Sequence, residues 1–316
     1  MAHLYCAMDL SVRFLGTSAS RPTVERNVTS LALRRGGETF LFDCGEGTQR
    51  QMMRYGVSFN LGDIFFTHMH ADHILGVIGL LRTMALQGRT EPMRLFGPPK
   101  SERLLRQAVT LGSDKQHFPI SLFELTPGQP LKRDGYSIVP YPVEHGGAVA
   151  MGLALVEEER LGRFNPDLAR SLGIPEGPLW GRIHKGEDIT LPDGRVVTPA
   201  ELVGATRAGR TVVFTGDARP SESTIDIAHE ADLLIHEATF AEDEAPLALE
   251  TGHSTAREAA MIARAASVKQ LVLTHISSRY SRDAHELVAE ARAVFPEAIL
   301  ARDGMEIVVP FDGDTA

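Results

Sequence analysis

Cysteine is nearly absent: Cys6 and Cys44 are the only two in 316 residues. That count excludes a Cys-rich zinc module and gives no framework for a disulfide-stapled secreted scaffold. A chain of this length buries most of its unfolded surface and needs no such staples. Long hydrophobic runs are missing too. None approaches the roughly 20 residues of a membrane span. The first ten residues lack a basic stretch followed by an apolar core, so no signal peptide is expected and the cytoplasm is the expected location. Aromatic residues make up 6% of the chain, with one Trp, which argues against a stacking platform for single-stranded nucleic acid. Positive charge is also scarce. The net charge of −9 speaks against a nucleic-acid partner on average. Local charge decides binding, however, and a bound cation is often the largest charge in a site.

Histidine is plentiful, with 12 residues, and four metal-binding side chains fall within six positions. The segment from Asp63 to His73 reads DIFFTHMHADH, an H-x-H-x-D-H pattern (His68, His70, Asp72, His73) after a short apolar run. On a continuous helix these positions scatter around the axis. On a tight loop leaving a strand they converge. Imidazoles mixed with a carboxylate suit zinc, and also manganese or iron, in sites that keep an open position for chemistry.

Short apolar runs alternate with helix-like segments through most of the chain, which indicates an α/β build. Residues 30–33 and 38–42 flank Gly36-Gly37 as a hairpin, and helices are expected from Thr48, from Ile74 to Leu86, and after Ser101 as N-cap. Residues 256–266 and 284–293 read as Ala- and Glu-rich helices. Five strand-like runs end at His68, His145, Asp217, His236 and His275. Ligands at one edge of two packed sheets would meet there. A four-layer αβ/βα sandwich forming a single domain over residues 1–316 is therefore expected. Residues 157–199 break the rhythm with many Gly and Pro and few periodic apolar positions. They read as an inserted flexible arm with little core of its own. Residues 160–185 carry five Lys or Arg against two acids.

These features together resemble the metallo-β-lactamase superfamily and, within it, the ribonuclease Z family of tRNA 3′-processing endonucleases. The first pattern indicates the superfamily alone. Narrower matches are GTSASRP (16–22) with Arg26-Asn27, DCGEGTQ (43–49), HEATF (236–240), GHST (252–255), THISSRY (274–280) and GIPEGP (173–178). The likeness runs from about residue 12 to 309. One local departure is Ser20, where the family's first loop often has Gly.

The resemblance implies two zinc ions per subunit, with manganese as the alternative. His68, His70 and His145 would hold one; Asp72, His73 and His275 the other; Asp217 would bridge them. Two divalent cations would outweigh the aspartates and make the cleft locally cationic. Asp72 would also accept the proton of the attacking water. His253 would protonate the leaving oxygen, its ring held by Glu237. Arg279 and Tyr280 are candidates for gripping the substrate end, and Arg163, Arg170, Arg182 and Lys185 for gripping phosphates through the arm, with Trp180 or Phe164 packing the arm on itself. Asp43 reads as an acceptor orienting a ligand histidine, Cys44 as buried packing, and His3, His117, His184, His229 and His285 as surface or capping residues. The expected substrate is precursor tRNA cut after the discriminator base, and the expected assembly a homodimer. The alternatives are a small-molecule hydrolase of the same superfamily and a non-catalytic RNA-binding or metal-storage protein.

Overall fold

The computed structural model describes residues 9–112, 115 and 117–311. His3 and Cys6 lie outside them. The chain divides into two compact units: residues up to Val156 together with those from Arg210 onward, and an insertion, Glu157–Gly209.

The main unit begins with strands β1 (Leu10–Gly16), β2 (Ser30–Arg35) and β3 (Glu38–Phe42), helix α1 (Thr48–Tyr55), β4 (Asp63–Phe65), a single turn α2 (Ala71–Ile74) and α3 (Gly76–Leu86). β5 (Met93–Gly97), α4 (Glu102–Thr110), β6 (Ile120–Glu124), β7 (Leu131–Arg133), β8 (Tyr136–Pro142) and β9 (Met151–Glu157) follow. The insertion holds α5 (Pro166–Ser171), α6 (Pro178–His184), the small hairpin β10 (Ile189–Thr190) and β11 (Val196–Val197), and α7 (Pro199–Leu202). The main unit resumes with β12 (Thr211–Phe214), α8 (Glu222–Ile227), β13 (Leu233–Glu237), α9 (Ala245–Thr251), α10 (Ala256–Ala265), β14 (Leu271–Thr274), α11 (His285–Arg292), β15 (Ile299–Leu300) and β16 (Glu306–Val308).

Two seven-stranded sheets form, in the orders β16-β1-β2-β3-β4-β5-β6 and β15-β14-β13-β12-β9-β8-β7. Alternation along the strands gives each sheet two apolar faces, and three buried clusters cover them. One lies between the sheets and joins Phe14, Phe42 and Phe65 to Leu153, Phe214 and Ile235. Its aromatic contacts cross the gap, with the Phe42 and Phe214 rings stacked at 6.2 Å. The few aromatics are thus concentrated in the core, where each fully buried one contributes about 1.5–3 kcal/mol. A second cluster packs the first sheet against α1, α3 and α4 through Met52, Leu80, Leu81 and Leu105. The third sets α10 and α11 on the second sheet, with Ala256, Ala259, Ala260 and Ala263 along one face of α10. Alanines at that spacing let the helix approach the strands closely. The capping box Thr255–Glu258 starts this helix. The result is the expected αβ/βα layering.

The insertion departs from expectation. It ends at Gly209 rather than 199. It also has a small core, Ala169, Ile174, Ile183, Ile189, Leu191, Val197 and Leu202, with Phe164, Leu172, Leu179 and Trp180 packed against it. These apolar residues come from helices of four to seven residues, two-residue strands and the loops between them, too short to show a period in sequence.

Candidate metal centre

The parallel strands β4, β12, β13 and β14 all deliver their C-terminal ends to one edge, the usual place for sites in open α/β sheets. β4 leads to His68, β8 to His145, β12 to Asp217 and β14 to His275. The H-x-H-x-D-H segment is only half a loop. His68 and His70 lie on irregular backbone, whereas Asp72 and His73 sit in α2, whose N-cap is His70. Close backbone packing fixes this turn. Cys44 N donates to His73 O at 2.8 Å and Gly76 N to Cys44 O at 2.9 Å. A Cβ on Gly45 would come within 2.2 Å of Asp72 O, so a side chain there would displace the turn.

His68, His70, His145 and Asp217 bring ligand atoms within 4.8 Å of one another, and so do Asp72, His73, Asp217 and His275. Asp217 belongs to both groups and presents one oxygen to each. Its Oδ2 lies 3.7 Å from Nε2 of both His68 and His145. Its Oδ1 lies 3.2 Å from Nε2 of both His73 and His275. Burial alone would push the Asp217 carboxyl up, but His275, His73 and His68 hold it well below the carboxylate range.

The far nitrogen of four ring ligands is committed. His73 Nδ1 donates to Asp43 Oδ2 at 2.7 Å and His145 Nδ1 to Gly252 O at 3.0 Å. Thr67 Oγ1 already donates to Asp43, and Thr239 Oγ1 to Glu237. Those hydroxyls therefore accept from Nδ1 of His68 at 3.1 Å and of His275 at 2.9 Å. Each of the four rings keeps its proton on Nδ1 and turns an Nε2 lone pair inward, the tautomer a metal ligand needs. Among the described residues, His68 Nε2, His73 Nε2 and Asp217 Oδ1 are buried without a hydrogen-bond partner. A buried polar atom left unpaired costs about 1–3 kcal/mol. Three of them converging on one place, in a set of imidazoles and carboxylates, fit divalent cations. His236 does not join them: its Nδ1 donates to Glu237 O, and it lies inside β13 rather than beyond it.

Glu237 is fully buried, also within β13. Its carboxylate accepts from Ala218 N, Thr239 N, Thr239 Oγ1, Ser254 N and His253 Nδ1, the last at 2.8 Å. Burial alone would lower the His253 pKa, but the Glu237 charge and hydrogen bond raise it to about 9. His253 borders a cavity of about 450 Å³ with Ser20, Arg21, Phe240 and Arg279.

Other sequence candidates sit differently. Tyr280 donates its hydroxyl to Glu244 and accepts from Ala241 N, and Arg279 pairs with Glu244 at 3.4 Å while lining the His253 cavity. Tyr280 is thus tied to the protein rather than turned to a substrate. In the insertion, Arg170 pairs with Asp167 and Glu176, and Arg182 with Glu187. Arg163 and Lys185 are exposed. The rings of Phe164 and Trp180 stand 5.2 Å apart, packing the insertion on itself.

Asp303 is a residue that the sequence does not single out. It accepts from Thr17 Oγ1, Asn27 N and Gln51 Nε2 at 2.7–2.8 Å. It thereby anchors the loop whose Ser20 N donates to Asp72 Oδ2 at 2.8 Å. No local pattern announces an acid that lies more than 250 positions from all three donors. Three residues at this edge, Ser20, Asp43 and His275, hold φ of 56–58° without being glycine. Strain of this kind gathers at functional sites.

Comparison with known proteins agrees with this geometry. A family model described as "Anti-Pycsar protein Apyc1" matches residues 10–130, and one described as "Beta-lactamase superfamily domain" matches 202–276. The short form of human tRNase Z superposes with a TM-score of 0.69 at 27% identity, covering 95% of this chain and all of that one. The Bacillus subtilis metallo-β-lactamase fold protein YhfI gives the same TM-score at 19% identity and shows the shared fold. Ribonuclease Z of Haloferax volcanii is 47% identical over 96% of both chains. Ribonuclease Z of Gemmatimonas aurantiaca is 62% identical over 95% of this chain and 96% of its own. At that identity over nearly full length, the chain belongs to the ribonuclease Z family.

Proposed function

We propose that the protein is a metal-dependent endoribonuclease that removes 3′ trailers from tRNA precursors, cutting after the discriminator base to leave a 3′-hydroxyl on the tRNA. The observation that carries this reading is Asp217, one oxygen toward each of two ligand groups, beside a His253–Glu237 pair. Relatives named ribonuclease Z and tRNase Z extend it from phosphodiester chemistry to RNA.

His68, His70 and His145 would hold one cation, Asp72, His73 and His275 a second, with Asp217 between. The pair is read as zinc, with manganese the alternative. The chemistry supplied there by two divalent cations is a lowered pKa for water, toward about 7, and neutralisation of phosphate charge. Asp72, held by Ser20 N, accepts a proton from the attacking water. Glu237 fixes the His253 proton on Nδ1 and favours the imidazolium, so Nε2–H is available to protonate the leaving 3′ oxygen. Arg279, beside that cavity, offers a guanidinium to phosphate. The insertion, with Arg163, Arg170, Arg182 and Lys185, serves as the exosite gripping the tRNA backbone by shape and charge. Its arginines exchange exposed carboxylate partners, worth little in water, for phosphates. A homodimer working in the cytoplasm completes the reading. No helix among the described residues is long and apolar enough to cross a membrane.

The test is cleavage of a tRNA precursor bearing a 3′ trailer by protein reconstituted with zinc or manganese, with His68→Ala alongside. A single cut next to the discriminator base, absent in the variant, is expected. No cut by protein of verified metal content would direct attention to small phosphodiesters and lactams.

A further inference from the structure

The main unit holds a second, larger depression, an open groove of about 1100 Å³. Arg54, Tyr55, Tyr280, Arg282, Arg292 and Arg302 line it, from the end of α1, the turn before α11, α11 itself and the segment before β16. All four arginines are exposed, and none forms an ion pair among the described residues. Arg292 donates only to Ala298 O, at 3.0 Å. In a chain with 41 acids against 32 Lys and Arg, carboxylates are the commoner partner on the surface. Three acids do line the groove. Asp303 is occupied by Thr17, Asn27 and Gln51, while Glu25 and Asp283 are exposed. With buried Arg26, five arginines line the groove against three carboxylates, which leaves it net positive on an otherwise acidic body.

Two chain segments connect this groove to the chemistry. Residues 19–21 and 277–279 border the His253 cavity, and residues 24–26 and 280–285, next along the same segments, border the groove. His253 would protonate the oxygen that stays with the tRNA, so its cavity takes the retained nucleotide. The strand on the other side of the scissile phosphate needs a separate way out. A groove whose guanidiniums can track successive phosphates is the electrostatic half of the pattern that holds single strands.

We propose that this groove carries the released single-stranded 3′ trailer, with its phosphates on Arg54, Arg282 and Arg302. The inference rests on the RNA-endonuclease reading above. It is tested with the metal-loaded full chain on two precursors of one tRNA, with trailers of one and of about twenty nucleotides. The variants are Arg54→Glu, Arg282→Glu and Arg302→Glu, singly and combined, with the combined Arg→Gln set as a milder version. For the combined variants, KM on the long trailer should rise about tenfold or more, and KM on the one-nucleotide trailer should stay at the wild-type value. The salt dependence of KM on the long trailer should flatten by about 2 in log–log slope, because three fewer phosphates of a single strand are neutralised. An equal rise on both precursors would overturn the proposal and place the arginines on the retained tRNA. Unchanged KM on both would overturn it outright. Wild type that cuts neither precursor, yet hydrolyses bis-p-nitrophenyl phosphate, would remove the RNA reading and this inference with it.

Discussion

Protons at the site are placed by two buried carboxylates, Asp43 and Glu237, rather than by the histidines that would use them. Glu237 raises His253 from 6.5 to about 9, so the ring holds its proton across neutral pH and loses it as pH rises through about 9. The alkaline limb of the kcat profile is therefore expected to follow His253. Glu237→Gln removes the raising charge and should move that limb to lower pH. His253→Ala should lower kcat by about 10²–10⁴, the usual contribution of a general acid, with the limb abolished. A pH–rate series on the three proteins checks both. Ser20 offers a different test. Its φ of 58° costs a non-glycine residue roughly 1–2 kcal/mol, most for a β-branched one. Ser20→Gly should therefore leave thermal stability equal or higher, and Ser20→Val should lower it by about 1–2 kcal/mol in urea melts.

Among the elements, the strand ends and the first loop differ in how they are held. The strand ends are legible in the sequence because each apolar run stops at a ligand type, and β4, β8, β12 and β14 do lead to His68, His145, Asp217 and His275. Asp72 and His73 read as loop residues, yet they begin a helical turn. Four residues are too few to show a helical period. Glu237 reads as lying just past a strand but is that strand's last buried residue. The anchor of the first loop is invisible in the sequence because Asp303 meets its donors only through the fold. Asp303→Ala leaves Thr17 Oγ1, Asn27 N and Gln51 Nε2 without that acceptor, at a cost of about 2–3 kcal/mol. Chemical denaturation should show that loss. Precursor KM should worsen as well, because the loop also presents Ser20 N to Asp72.

At the scale of the whole molecule, both candidate ligand groups draw their residues from the main unit alone. β9 and β12 are antiparallel neighbours with Val156 opposite Thr211, so the insertion leaves and re-enters at one hairpin. Replacing residues 158–208 with a short Gly/Ser turn should leave a folded main unit that hydrolyses bis-p-nitrophenyl phosphate while tRNA cleavage is lost. Equal loss on both substrates would remove the insertion from substrate binding. Metal should matter to the whole fold as well as to the reaction. The inward-facing lone pairs of the two ligand groups stay unpaired without it, so chelation should lower the melting temperature. Zinc at 100 times its Kd should restore about 2.7 kcal/mol.

Ser20, Asp43 and His275 share a backbone shape that glycine adopts at no steric cost, but their histories under mutation must differ. Glycine at Asp43 or His275 would relax the chain and delete a side chain the site depends on, so that gain in stability is closed to any lineage that keeps the activity. At Ser20 only the main-chain N–H is in use, and glycine keeps it. Of three equally tense positions, Ser20 is the one where the strain can be released without removing a side chain that the ligand groups use.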